Sequence, residues 1–564
     1  FGIGSRVKIY YSGNVQIEEN ILTRGFISSV ETGAFFGLGK ETKIDSLEVI
    51  WYDGKINFLT DLEVNQVIEV DYSKAKTITR PALNEQTIFS SVPTKSLGLN
   101  YVHKENVYDD FKEQILMPHR LSQNGPFSAV ADVNGDGLED LFLGGALGQT
   151  GELYLQTKDG KFELSSSQPW EKHKLAEDMG CVFFDVDGDK DMDLFVASGG
   201  NEYKQGSLNL KDRLYINDGL GNFTNKSARI PPIYESSSCV KISDIDNDGD
   251  LDLFIGVRLI SGKYAYPATS YFLVNNNGVF EVLELDKAPS LQDIGMVTDA
   301  HFTDIDSDGN EDLMIVGEWM NIKFLRNING KFVDVSSDYG LDDTRGIWWS
   351  ITASDLDDDG DEDFIVGNLG LNNKFKASQE HPFKVYANDF DKNGTNDIVL
   401  AKFYKKDYVP VRGRECTSEQ MPYVLEKFED YHSFASSNLM DILPEDKIED
   451  AVVYAIKDFS SIVLYNNGDN FIRKKLPIQA QISPIKSSMA SDFNNDGIKD
   501  ILLAGNHYGV EVETTRYDAG FGALLLGNEF GDFEFLSPLK SGFYVPFDSR
   551  SMQKIKIGET QSIV

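Results

Sequence analysis

Cationic residues are scarce in this sequence: 53 lysines and arginines stand against 90 aspartates and glutamates, for a formal net charge of -37. A chain this acidic cannot neutralise a phosphate backbone, which excludes nucleic acid as a partner. Cysteine is nearly absent. Cys181, Cys239 and Cys416 are odd in number, which rules out a purely intramolecular disulfide framework. The first two sit in apolar runs, GCVFFD and SCVKIS, and read as buried free thiols. No apolar run approaches the roughly 18 residues of a membrane-spanning helix. The seven histidines (103, 119, 173, 301, 381, 432 and 507) are scattered, and no H-E-x-x-H, G-x-S-x-G or phosphate-loop motif occurs. Catalysis has no visible apparatus, and the chain is expected not to be an enzyme. It opens at Phe1-Gly2-Ile3-Gly4, without methionine or signal peptide, and ends in Gln561-Ser562-Ile563-Val564. A fragment of a longer polypeptide is the expectation, so the missing leader says nothing about compartment.

What is present is a repeat. The pattern D-x-[DN]-x-[DN]-x-x-x-D occurs seven times, each copy lying between short apolar, β-branched runs such as CVFFD and LFVASGG. Such runs bounded by acidic and glycine turns read as strands. A second apolar run, a turn and a phenylalanine follow most copies, as in LYINDGLGNF and FLVNNNGVF. Two hairpins make a four-stranded antiparallel sheet, and the first four repeat intervals are 53, 59, 60 and 51 residues. That spacing predicts an all-β propeller of seven blades, or eight if the C-terminus begins another. The rhythm breaks once: the copy at Asp389 follows Asp355 by 34 residues, and the next comes 103 later. The Asp389 loop is therefore expected in the second hairpin of blade five. A sixth blade is expected near 449–475, and a helical insertion near 417–437. The propeller is expected over 96–564, after a linker at 77–95 containing Pro81 and Pro93. Residues 1–76 alternate apolar and polar positions (RVKIYY, SLEVIWY, QVIEVDY), which predicts a small β-barrel or sandwich.

The nine-residue loop is a ligand set. Side-chain oxygens at positions 1, 3, 5 and 9, with a backbone carbonyl at 7, suit Ca²⁺ and its 6–8 hard oxygen ligands. The candidate ligands are Asp132, Asn134, Asp136 and Asp140; Asp185, Asp187, Asp189 and Asp193; and Asp244, Asp246, Asp248 and Asp252. They continue as Asp304, Asp306, Asp308 and Asp312; Asp355, Asp357, Asp359 and Asp363; Asp389, Asp391, Asn393 and Asp397; and Asp492, Asn494, Asp496 and Asp500. Position 6 is glycine in six copies and Lys190 in the second, so that loop is expected to be the emptiest or most distorted. The seven loops carry 32 carboxylates and three lysines, -29 of the net -37, and seven Ca²⁺ would return +14. The acidity is thus mostly a metal-site signature, with several ions, up to seven, expected as cofactors.

These loops resemble the FG-GAP or VCBS repeats of integrin-α-type propellers over about residues 124–545. The stretches Gly2-x-Gly4-Ser5-x-Val7, Arg24-Gly25-Phe26-x-Ser28, Phe36-Gly37-Leu38-Gly39 and Leu47-x-Val49-x-Trp51-x-x-Gly54 resemble the ASPIC/UnbV domain, found beside such repeats in cartilage acidic protein and bacterial surface proteins. The resemblance implies a secreted or cell-surface protein. It also implies an outer-membrane lipoprotein of Bacteroidota type, part of an outer-membrane assembly with a protein or glycan partner. Loops opposite the acidic face are long and rich in aromatic, amide and arginine residues. They carry Asn201, Tyr203, Arg258, Tyr264, Tyr266, Trp319, Asn321, Asn368, Asn372, Tyr508, Arg516 and Tyr517, and are expected to hold the binding surface. The expected function is therefore calcium-stabilised binding or scaffolding. The alternative is a glycan-processing lyase or hydrolase on the same propeller.

Overall fold

Alternation in the first residues folds as it reads. Arg6–Tyr11, Asn14–Glu19, Lys43–Ile50 and Ile56–Glu63 pair in the antiparallel order 2-1-3-4. Their inward positions bury Ile9, Ile44, Leu47 and Val49. This computed structural model describes residues 2–77 and 87–564, and the chain divides into two compact units, Phe1–Gln86 and Thr87–Val564. Among the described residues the first unit holds one open sheet, not the closed barrel or two-sheet sandwich the alternation predicted. Its second side is supplied by irregular chain, with Phe36, Leu38 and Trp51 packed against the same core. Of the expected linker, 78–86 lie outside the described residues. From Thr87 onward the chain is already docked on the second unit: the Phe89 ring is 5.4 Å from Phe493 and 5.5 Å from Phe543.

In the second unit six sheets repeat one four-stranded antiparallel plan, blade four carrying an extra short strand, Gly346–Ile347, beside its second. Blade one comprises Ser128–Ala131, Asp140–Leu143, Glu152–Gln156 and Phe162–Ser165. Blades two, three and four begin at Glu177, Ser236 and Met296, and blade six at Ile485. Second strands such as Asp252–Leu259 are buried at every position, because sheets flank them on both faces. Adjacent blades share cores: Phe184, Phe195 and Leu214 of blade two pack on Val240, Ile255 and Phe280 of blade three. First strands line the axis, where a cavity of about 250 Å³ is bounded by Ser128, Cys181, Lys241, Asp299, Thr352 and Ser488. The C-terminal hairpin, Lys554–Ile557 and Thr560–Ile563, takes the seventh position, packing on blade one through Ile555 and on blade six through Ile563. All three cysteines are free.

Blade five departs from the expected layout. Its strands are Ser350–Ser354, Asp363–Gly367, Ile462–Asn466 and Phe471–Lys475, so residues 462–475 finish blade five and make no sixth blade. Between its second and third strands lies an extra antiparallel sheet: Phe383–Asn388, Asp397–Tyr404, Asp407–Pro410 and Val452–Ile456. The Asp389 loop belongs to this sheet, not to a second hairpin of blade five. Short helices from Arg414–Gln420 to Glu445–Ile448 complete the insertion, longer than the helical segment expected at 417–437. The inserted sheet packs over the ends of the ring strands away from the acidic loops. Phe383, Val385 and Ile398 join Met117, Tyr264, Trp319, Trp349 and Tyr517 in one core.

Side-chain amides fasten blades one to four to the element before each. Asn217, Asn275 and Asn327 each donate Nδ2 to the carbonyl at position 2 of the preceding blade's acidic loop, Val133, Val186 and Ile245, at 2.7, 2.9 and 2.9 Å. Gln156 of blade one makes the same bond to the Lys556 carbonyl of the C-terminal hairpin, at 2.9 Å, and so closes the ring. Asn275 is fully buried and also donates to the Leu251 carbonyl. Asn275→Ala should cost about 1–3 kcal/mol, because it strips buried carbonyls of their donor. The denaturant midpoint measures this, and an unchanged midpoint would mean the clasp contributes nothing.

Candidate metal centres and the opposite face

Each acidic loop is wound around its first aspartate. Asp132 Oδ1 accepts the Gly135 N–H and Oδ2 the Gly137 N–H, both at 2.8 Å. Asp244, Asp304, Asp389 and Asp492 likewise accept from positions 5 and 6 at 2.9–3.1 Å. Positions 4 and 6 both turn through left-handed backbone. At position 6 the φ values run from 74° to 98°, and the 74° belongs to Lys190. The second loop is therefore not distorted, contrary to expectation: Lys190 adopts the conformation glycine takes elsewhere, and Gly188 at position 4 (φ 78°) matches its counterparts. Carboxylates converge accordingly. Asp185, Asp187 and Asp193 bring oxygens within 4.8 Å of one another, as do Asp244, Asp246 and Asp248; Asp304, Asp306 and Asp308; Asp355, Asp357 and Asp359; and Asp389, Asp391 and Asp397. In the first and last loops, Asn134 and Asn494 replace one carboxylate.

The ninth aspartate does two jobs. In blade two, Asp193 Oδ2 accepts the Val186 N–H at the head of its loop (3.0 Å), and Oδ1 accepts the Asn217 N–H of the third strand (2.7 Å). Asp140, Asp252, Asp363 and Asp500 repeat both bonds. In the inserted sheet, Asp397 Oδ1 has no partner. Asp187 Oδ1, Asp306 Oδ1 and Asp312 Oδ2 are likewise buried without a donor, so the donor set is all oxygen and short of positive charge. A hard cation such as Ca²⁺ fits these residues. Two loops already hold a partial substitute: Arg229 reaches Asp187 at 3.2 Å, and Arg326 rests on Asp306.

Burial, with neighbouring carboxylates, pushes the ninth-position carboxyls up from 3.8: Asp140 to about 6, and Asp193, Asp252, Asp312, Asp363 and Asp397 to about 7. In metal-free protein the folded state therefore holds more protons than the unfolded chain. The resulting stability is full below pH 3.8 and is lost as pH rises through about 7. A bound cation reverses the preference by favouring the ionised form. Calcium titration at pH 6 should thus release protons, and release should fade above pH 8. Proton counts from titrations in buffers of different ionisation enthalpy test this, and uptake without release at pH 6 would contradict it.

The opposite face differs from the sequence expectation. Arg258, Tyr264, Trp319 and Tyr517 are buried beneath the inserted sheet, Asn368 is buried against Ile347 and Ser460, and Asn201 is buried against Asp110. Tyr203, Tyr266, Asn321 and Tyr508 are half-buried, while Asn372 and Arg516 are exposed. The centre of the buried group is Glu318, 0% exposed, which accepts from Arg258 Nε at 2.9 Å and Tyr264 Oη at 3.0 Å, with His119 Nε2 an ion-pair neighbour at 3.1 Å. Burial pushes its carboxyl up, but Arg258 and His119 outweigh that and hold it well below the usual carboxylate range. Arg258→Ala should therefore cost about 3–5 kcal/mol by leaving Glu318 uncompensated. A melting temperature within a degree of wild type would contradict this. Open on this face is a cavity of about 600 Å³ lined by His103, Glu105, Arg120, Tyr508, Arg516 and Arg550. The Arg516 guanidinium lies 5.4 Å over the Tyr508 ring.

The family described as ASPIC and UnbV matches residues 1–77. The FG-GAP-like repeat matches residues 132–196, 185–255 and 304–366. No curated protein matches the chain. Among solved structures, one concerned with recognition of non-reducing terminal N-acetylglucosamine by an Agrocybe aegerita lectin is 13% identical. It covers 75% of this chain and 82% of that one, with a TM-score of 0.36. The V. cholerae biofilm matrix protein Bap1 is 10% identical, covering 79% of this chain and 84% of its own, with a TM-score of 0.29.

Proposed function

We propose that this chain, an FG-GAP repeat protein with an N-terminal ASPIC/UnbV domain, is an extracellular, calcium-stabilised binding or scaffold protein. Its partner is a protein or glycan taken on the face opposite the acidic loops. The observation that carries this reading is the division of labour between the faces. The loop carboxylates hold backbone N–H groups and converge in groups that could hold a cation. The opposite cavity offers Arg120, Arg516, Tyr508 and His103 to solvent. Arginine beside an aromatic ring, on loops carried by a stiff scaffold, suits specific recognition. Calcium occupies up to seven loops in this reading, and a calcium-rich surrounding outside the cell supplies it. Family membership supports a surface location, with lipoprotein anchoring in an outer-membrane assembly as its finer form. The protein binds without catalysing: the loop carboxylates that could serve as an acid/base pair are committed to metal.

Chelation should lower the melting temperature, since bound metal stabilises only the folded form. Arg516→Ala, exposed and free of buried partners, should weaken glycan-array or pull-down binding about tenfold and leave melting unchanged. Binding lost with the loops and kept in Arg516→Ala would move the site to the acidic face. Release of reducing ends from any array glycan would favour the enzyme.

A further inference from the structure

Acidic as the chain is, its axial cavity is walled by cations. Lys241, Arg258, Lys486 and Arg550 line the 250 Å³ space, with Asp299 the one carboxylate on the wall among the described residues. Asp299 takes Lys241 at 2.8 Å. The other three gather at the end remote from the nine-residue loops. Arg258 stands near the close of blade three's second strand, and Lys486 near the opening of blade six's first. Their side chains and that of Arg550 are 6%, 4% and 8% exposed. Arg258 Cζ and Lys486 Nζ lie 5.0 and 4.9 Å from the centre of one ring, Trp349. Asp548 joins Lys486 to Arg550, accepting from Nζ at 2.9 Å and from Nη2 at 3.1 Å.

Counter-charge behind this wall is short. Glu318 answers Arg258, and Asp548 is shared by Lys486 and Arg550, so two carboxylates face three cations. Buried charges need full pairing. Burial and the Arg550 charge push the Lys486 ammonium well below the ordinary lysine range, against Asp548. Burial also lowers Arg550, and Arg258 adds to it, against Asp548, Glu105 and Glu177. Glu177 itself is driven well above its ordinary range by burial and by Glu202, so it keeps its proton. Donors are left over as well. Arg258 Nη1 and Arg550 Nε and Nη1 make no hydrogen bond among the described residues, and Trp349 Nε1 is buried without an acceptor. Hydroxyls of Ser487 and Ser551 on the same wall can donate too. Asn124 Oδ1 is the wall's one buried side-chain acceptor without a donor, which a protonated oxygen of a ligand can serve. The space lies just under the roughly 300–1,000 Å³ that drug-sized molecules occupy, so its occupant is small.

We propose that the axial cavity binds one small oxyanion, of sulfate, phosphate or carboxylate type, between Arg258, Lys486 and Arg550. Arg550 lines the open cavity of the same face as well, so the two spaces adjoin at its side chain. No residue of a nine-residue loop contributes to the site.

Sulfate at low concentration stays soluble beside calcium and serves as the probe. Calorimetric titration of sodium sulfate into calcium-loaded full-length protein, at constant ionic strength, should give one saturable site. Lys486→Gln and Arg550→Gln should each weaken it about tenfold or more, the loss of a charge-assisted hydrogen bond. Arg516→Ala, on the open cavity alone, should keep the wild-type affinity. Phosphate and acetate compete in the same titration, and the stronger competitor identifies the class the site prefers. Should Lys486→Gln fail to fold by circular dichroism, loss in Arg550→Gln with retention in Arg516→Ala supports the site equally. Wild type without saturable heat, or undiminished affinity in both glutamine variants, would overturn the proposal. So would a loss confined to Arg516→Ala, which puts the anion in the open cavity.

Discussion

One buried carboxylate per repeat holds the ring in shape. In five of the seven acidic loops the ninth aspartate ties the head of the loop to the third strand of its blade through two backbone N–H groups. Hydrogen bonds to an ionised acceptor contribute about 1.5–3 kcal/mol each. Without a counter-charge, however, burial drives that acceptor toward its proton. The loop in front of it therefore works as an electrostatic lid: a cation held there keeps the staple ionised. The neighbouring blade's amide then clasps the carbonyl next to the first aspartate. The residue at position 2 thus gives its N–H to the staple of its own blade and its carbonyl to the amide of the next.

The opposite face is organised by different physics. Instead of a local turn motif it carries a long excursion from blade five. The inserted sheet lies over aromatic residues from blades three, four and six, and its helices pack against the sheet's other face. Burial there is expensive for polar groups unless all are matched. Glu318 is matched by an arginine, a histidine and a tyrosine from separate parts of the chain. The cap buries Arg258, Tyr264, Trp319 and Tyr517, so the accessible surface of this face is smaller than its loop lengths suggest.

How much was legible in the sequence follows from how local each feature is. The acidic loops are complete within nine residues, so ligand positions, turn residues and blade spacing can be read along the chain. Even Lys190 misled only in part, since a left-handed lysine is a strain the rest of the loop tolerates. Blade five could not be read, because its second and third strands are separated by a segment with strands and an acidic loop of its own. The aromatic loops were misjudged for the same reason. Arg258 is buried by its bond to a residue 60 positions away, and Trp319 stacks on Phe383 at 5.9 Å. In the N-terminal unit, alternation located the strands but not the irregular chain that covers their second side.

The bond that closes the ring joins residues 400 positions apart, Gln156 and Lys556. During synthesis, blade one is therefore finished long before its last neighbour exists, and one flank of its inter-blade core faces solvent throughout. A chain interrupted before the final hairpin would keep six nearly complete blades while exposing apolar flanks at both sides of the gap. Such surfaces are where partly made proteins stick to one another. The hairpin Lys554–Ile557 and Thr560–Ile563 thus carries a duty far beyond its length: it turns an adhesive arc into a closed ring.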